Sequence, residues 1–142
     1  MAENFNTLET LNGTDGKLWV NETLVGSVQS FVLKQKNIWE DVHKSGNLGK
    51  SRRLVGFELS GTISKYKIDN AFTRIMEECK DGNPPDIKLI GLLENKNSGM
   101  MQRAVIKGVT LDELDIINFE QKKVLMEEIP YEAEDYYYQD LT

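Results

Sequence analysis

The side chains in this 142-residue sequence best suited to nucleophilic or proton-transfer chemistry are one histidine, His43, and one cysteine, Cys79. Ser-His or Cys-His catalysis holds nucleophile and base together with a third, orienting group. His43 lies in the stretch NIWEDVHKSGNLGKSR, which carries no such signature. The carboxylate pairs Glu77-Glu78, Glu127-Glu128 and Glu134-Asp135 are adjacent in sequence, which points their side chains in different directions. They read as solvated charge rather than as an acid–base couple. Gly26, Gly46, Gly49 and Gly61 lack the spacing of a phosphate-cradling loop, and no lysine follows in the required place. Tyr136-Tyr137-Tyr138 offers ring faces for stacking bases, but flanking acids would repel phosphate, so packing or an interface is expected. A lone cysteine gives neither an internal disulfide nor a metal-site spacing. Neither a cofactor nor an enzymatic activity is expected.

The 17 basic and 23 acidic residues leave a net charge of −6, which opposes general binding to nucleic acid. No stretch approaches the roughly 20 apolar residues of a membrane span. The N-terminus, MAENFNTLET, has neither the basic start nor the apolar run of a secretory leader, so synthesis in the cytosol is expected. The length suits one domain, residues 1–142, with its own core. The charge is uneven: from Lys34 to Arg53 there are six bases against Glu40 and Asp41, and from Glu127 onward six acids and no base. Two readings stand open: two solvated surfaces, or complementarity between copies, with the basic segment of one meeting the acidic tail of another.

The elements follow from periodicity. Arg53 to Lys67 alternates almost without a break. Val55, Phe57, Leu59 and Ile63 fall on one face, and Glu58, Ser60, Thr62 and Ser64 on the other. Before it, Lys17–Asn21 and Thr23–Lys36 read as strands joined by a tight turn at Asn21-Glu22. Residues 1–12 are polar and lack a period, which suggests a mobile arm. Residues 37–53 fit no template and read as a long loop. Its Trp39, Val42 and Leu48 either fold back on the core or become buried when another subunit arrives. A helix begins near Asp69, buries Phe72, Ile75, Met76 and Cys79 at i, i+3, i+4 and i+7, and stops at Gly82. Further strands are expected at Asp86–Glu94, Gln102–Leu111 and Ile117–Ala133, with Asp112–Asp115 as a loop. Gly91 and Gly108 mark bulges or close approaches, and Pro130 an edge or bulge. The expected core is Val55, Phe57, Leu59, Ile63, Phe72, Ile75, Met76 and Leu125. The fold class is mainly β, an antiparallel barrel or sandwich with one flanking helix.

Three segments in order carry a family likeness. Gly16-Lys17-Leu18-Trp19-Val20-Asn21 with Leu24-Val25 resembles the first hairpin of contractile phage tail tube proteins, in the branch typified by the tube protein of the defective prophage PBSX. Gly56 to Lys67, GFELSGTISKYK, is similar to that branch's glycine-aromatic and G-(T/S)-I-(T/S)-x-Y pattern, with Glu58 or Leu59 where a second glycine often stands. Glu128-Ile129-Pro130-Tyr131-Glu132-Ala133 with Tyr136 resembles its closing strand and aromatic-acidic tail. The resemblance implies a β-barrel-like tube subunit assembled into hexameric rings stacked as a hollow tube, without enzyme activity. A contractile sheath would surround the tube, with a baseplate and a tail terminator as further partners. The tube would carry DNA without binding it specifically or, in bacteriocin-like particles, pierce an envelope. The protein would then reside in a virion tail or tail-like particle.

On that reading the 37–53 segment orders against the next ring. Trp39 and Leu48 act as apolar anchors, His43 lies between them, and Lys50, Arg52 and Arg53 meet acids. Glu58, Ser60, Thr62 and Ser64 are candidates for a polar lumen face, or else plain outer surface. Glu132, Glu134, Asp135 and Asp140 form a candidate acidic interface. The competing readings are a small-ligand or protein-binding β-barrel with the loop as a lid and, disfavoured by charge, a nucleic-acid-binding barrel.

Overall fold

The computed structural model describes residues 16–46, 48–95 and 99–141. The expected arm over residues 1–12 lies outside them. Strand β1, Gly16–Val20, turns back into β2, Thr23–Leu24, through Asn21 and Glu22 at φ 48° and 73°. Left-handed values at both central residues give the turn whose twist matches paired strands. Asn21 is fastened there by its Nδ2, which donates to the Asp86 carbonyl at 3.3 Å, and its Oδ1, which accepts from the Lys88 amide at 2.9 Å.

The strand expected over Thr23–Lys36 is divided. Ser27, at φ 62°, turns the chain out of the first sheet, and β3 (Val28–Val42) opens in the second. Ser27 Oγ donates to the Tyr66 carbonyl at 2.9 Å, and the Tyr66 amide donates to the Ser27 carbonyl at 3.1 Å, which clamps this corner. β4, Ser51–Tyr66, pairs antiparallel with β3 from Val28 opposite Lys65 to Val42 opposite Ser51, with irregularities at Val28/Ser30 and Ile38/Trp39. The loop expected over 37–53 is therefore mostly the outer half of a long hairpin, whose strands end at Val42 and resume at Ser51. Alternation marks a strand only where one face is dry. Here both faces are wet, and backbone pairing with a few exposed cross-strand contacts carries the ladder, so the sequence shows no period.

Helix α1, Ala71–Lys80, buries Phe72 and packs Ile75 and Met76 against the core. Asp69 Oδ1 accepts from the Ala71 amide at 3.2 Å. Gly82, at φ 84°, ends the helix, with its amide on the Cys79 carbonyl and that of Asn83 on the Glu78 carbonyl. β5 (Leu89–Asn95) and β6 (Met100–Lys107) follow, and β7 is only Thr110–Leu111. The strand expected over Gln102–Leu111 is broken at Gly108, whose φ of 64° lets the chain cross between sheets. The strand expected from Ile117 starts only at Met126, as β8 (Met126–Ala133), and β9 (Asp135–Leu141) closes the order. The Pro130 carbonyl accepts from the Asp112 amide at 2.9 Å, so its nitrogen also faces past the end of β7, where no ladder bond is lost.

The sheets run β2-β1-β5-β6-β9 and β3-β4-β8-β7, and among the described residues no strand pairing closes them into a barrel. Between them lie Leu18, Leu89 and Ile106 from the first sheet and Ile63, Ile129 and Tyr131 from the second. Tyr131 lies across Gly61, its hydroxyl donating to the Val32 carbonyl at 2.8 Å, and its ring is parallel to Phe31 with centroids 6.0 Å apart. Phe31 in turn sits against Gly91 of the facing sheet, where an added Cβ would stand 3.1 Å from the ring. Two glycines thus admit two aromatic rings.

Lys65 is a charged residue on the dry face of β4. It is 1% exposed, and its Nζ lies 3.3 Å from Oε1 of Glu127, 3.7 Å from Asp69 and 5.8 Å from the centre of the Phe72 ring. Glu127 is therefore a buried partner rather than solvated charge, although its neighbour Glu128 is exposed.

At Gly61 an added Cβ would come within 1.9 Å of the Val32 backbone carbonyl, which cannot move aside. Gly61→Ala is expected to cost more than about 3 kcal/mol, against about 1 kcal/mol for Gly91→Ala, where only a ring must shift, as read by urea unfolding. Lys65→Met or Glu127→Leu alone should each cost about 3–5 kcal/mol, and the double variant less than either. Burial pushes the Tyr131 phenol above its ordinary value. Above about pH 10 the unfolded chain loses that proton while the folded chain keeps it, so stability falls as pH rises. Tyr131→Phe should cost about 1 kcal/mol at neutral pH and flatten the alkaline fall.

Candidate assembly surfaces

β8 accompanies β4 only as far as Leu59, which pairs with Ala133. Beyond that point the β3–β4 hairpin has no third strand. Val55 and Phe57, expected in the core, are 53% and 45% exposed for this reason, while Leu59 and Ile63 are buried. Ile38, Trp39 and Leu54 are exposed on the same outer hairpin. The Arg52 guanidinium lies 4.7 Å from the centre of the Trp39 ring, and Lys50 Nζ lies 3.4 Å from Asp41. Arg53 faces Glu40 across the ladder, His43 follows the end of β3, and Leu48 is fully exposed in the turn. The structure therefore gathers Trp39, His43, Leu48, Lys50, Arg52 and Arg53 at one end of one projecting element.

Glu58, Ser60, Thr62 and Ser64 share the outer face of the second sheet. Register places Lys36 beside Glu58, Lys34 and Glu132 beside Ser60, Val32 and Pro130 beside Thr62, and Ser30 and Glu128 beside Ser64. The face is polar and mixed in charge. The four acids expected as one interface do not share an element. Glu132 is on β8, Glu134 packs against Gly108 between strands, and Asp135 and Asp140 are on β9. The tyrosine triplet also lies on β9: Tyr136 and Tyr138 meet edge to face, and Lys107 lies 4.8 Å from the centre of Tyr137.

A cleft of about 600 Å³ opens between the sheets, lined among others by Phe31, Gly91, Gln102 and Tyr138. None of the described residues of 37–53 lines it, so the hairpin is not its lid. Among the described residues no group of three or more His, Cys, Asp or Glu is placed to hold a metal.

The connection from β7 to β8 went unrecognised as a surface. Leu114 anchors it in the core, while Ile116, Ile117, Phe119 and Val124 are 63–83% exposed. Its run of Ile-Ile-Asn-Phe looks like strand in the sequence, and the signal against that was the cluster Asp112, Glu113 and Asp115 just before it.

A two-sheet module with a projecting, apolar and basic hairpin is a structural subunit built to meet other surfaces. The model of the family described as phage tail tube protein matches residues 3–140, and the chain belongs to that family. It is 24% identical to the phage-like element PBSX protein XkdM of Bacillus subtilis strain 168, over 89% of this chain and 88% of that protein. Its fold is similar to a chain of the sheath/tube terminator of an extracellular contractile injection system. That match has a TM-score of 0.77, 9% identity, and covers 95% of this chain and 100% of the other. A chain of the sheath–tube complex of such a system in its extended state matches with a TM-score of 0.75, 9% identity and 95% of each chain. The chain is a structural subunit of a tail or tail-like particle.

Proposed function

We propose that copies of this chain close into hexameric rings that stack as the inner tube of a contractile tail, with the β3–β4 hairpin as the contact between rings. The observation that carries this reading is the hairpin itself. It projects past every other strand of its sheet with Trp39, Leu54, Val55 and Phe57 in water. Taking one such side chain from full exposure to full burial is worth about 1.5–3 kcal/mol, and at 44–53% exposure the isolated subunit forgoes roughly half of that for each. Closing a ring would also satisfy free edges at β3 and β9. The sheath, a baseplate and a terminator are the partners this role requires, and the solved relatives come from assemblies with those names.

The lumen face in this proposal is the outer side of the second sheet, with Glu58, Ser60, Thr62 and Ser64 in consecutive register. Lys34 and Lys36 offset much of the charge of Glu58, Glu128 and Glu132 there. Repulsion of passing DNA would therefore rest on the chain's net −6 rather than on this face alone. Glu132, Glu134, Asp135 and Asp140 would contribute to side-to-side contacts at the β8–β9 corner.

Removing residues 37–57 and joining Lys36 to Glu58, which are register partners, through Asn-Gly takes away all four exposed side chains and should leave a folded subunit, since every residue of the buried core lies elsewhere. Negative-stain microscopy should then show no tubes under conditions where the full chain forms them. Normal tubes from the shortened chain would end the proposal.

A further inference from the structure

The two ends of the second sheet carry opposite chemistry. At one end is the hairpin tip, with exposed Trp39, Leu48 and Leu54 and the bases Lys44 and Arg53. At the other, Met126 opens β8 opposite Tyr66, and the Lys67 amide donates to the Leu125 carbonyl at 2.9 Å. That contact holds the connection between β7 and β8 at the base of the hairpin. Leu114, Asp115 and Asn118 of the connection line a small pocket with Lys67 and Met126, and the same segment exposes Ile116, Ile117 and Phe119 and carries the acids Asp112, Glu113, Asp115 and Glu120. β4 joins the two ends over 16 residues, about 50 Å of strand.

We infer that the connection spanning residues 112–124 is the receptor for the hairpin tip of a second copy of this chain, so that subunits join tip to base along the strand direction. This rests on the tube reading above and names the surface that the hairpin meets. Apolar groups stand at both ends, and the net charges are opposite: Lys44, Lys50, Arg52 and Arg53 outnumber Glu40 and Asp41 at the tip, while Asp112, Glu113, Asp115 and Glu120 outnumber Lys122 and Lys123 at the base. The contact is heterologous and displaces each copy along its own long axis, so it does not close on itself and extends as a filament. Leu114, buried in the core, holds the receptor in place before binding, which limits the ordering cost to the hairpin side.

Two variants test the receptor in tubes of the full chain. Ile117→Asp with Phe119→Asp changes only exposed positions; it should leave a folded subunit by circular dichroism and reduce tubes at least tenfold by negative stain. Wild-type tube yield from that variant overturns the inference and assigns the patch to a different partner. In a Cys79→Ser background, Leu48→Cys with Ile117→Cys should give tubes that oxidise into ladders of linked subunits on non-reducing gels, and neither single cysteine should do so. Tubes that form without ladders overturn the receptor assignment while leaving the tube reading intact. Absence of tubes from the unmodified chain overturns the tube reading, and this inference with it.

Discussion

Tyr131 reaching across Gly61 to the Val32 carbonyl is the contact on which the geometry of this subunit depends. Its strand, β8, is separated from β3 by β4, so one side chain ties three strands together at mid-sheet. Its ring also supports Phe31, and Phe31 presses on Gly91 of the facing sheet, so the same stack sets the spacing between layers. A side chain at either glycine position would fill the space that the rings occupy. Packing interiors transmit such changes because they contain little free volume.

That stack marks the edge of the ordinary core. From Leu59 inward, β4 behaves as one strand of a sandwich, with Ile63 fully buried. From Leu59 outward the same strand has only β3 beside it, and its stability comes from ladder hydrogen bonds and cross-strand pairs such as Arg53 opposite Glu40. An isolated two-stranded ribbon is marginal in water. Anchored at its base in a four-stranded sheet, this one extends well beyond β8 and β7 and still keeps register to Val42 and Ser51.

The readable parts of the sequence were those where a single physical cause dominates. Alternation from Leu59 to Ile63 reports a half-buried face. Asn21 reports a left-handed turn, and the 3.6 spacing of Phe72, Ile75 and Met76 ending at Gly82 reports a helix. In the outer hairpin the β4 side reads as strand from Arg53 onward, but its alternation wrongly assigns Val55 and Phe57 to the core, whereas the β3 side from Asn37 shows no period because neither face is dry there. Crossings at Ser27 and Gly108 were missed because strand pattern continues on both sides of each, although the chain changes sheet. Lys65 was legible in principle: parity puts it on the face of Leu59 and Ile63. Its partner Glu127 is 62 residues away, so local pattern could not supply it. The candidate assembly surfaces divided in the same way. Family likeness located the hairpin, whereas the exposed apolar run at Ile116–Phe119 needed the fold to separate it from β8.

The long edge strand β3 has a further consequence for the chain on its own. Short flanking strands such as β2 and β7 offer little template for stray pairing, but β3 offers fifteen residues of open backbone along one side. Lys34 and Lys36 lie on that rim, and cationic side chains there discourage misaligned sheet extension. Two cations on this rim of an otherwise acidic chain therefore oppose pairing of β3 with a strand in the wrong register.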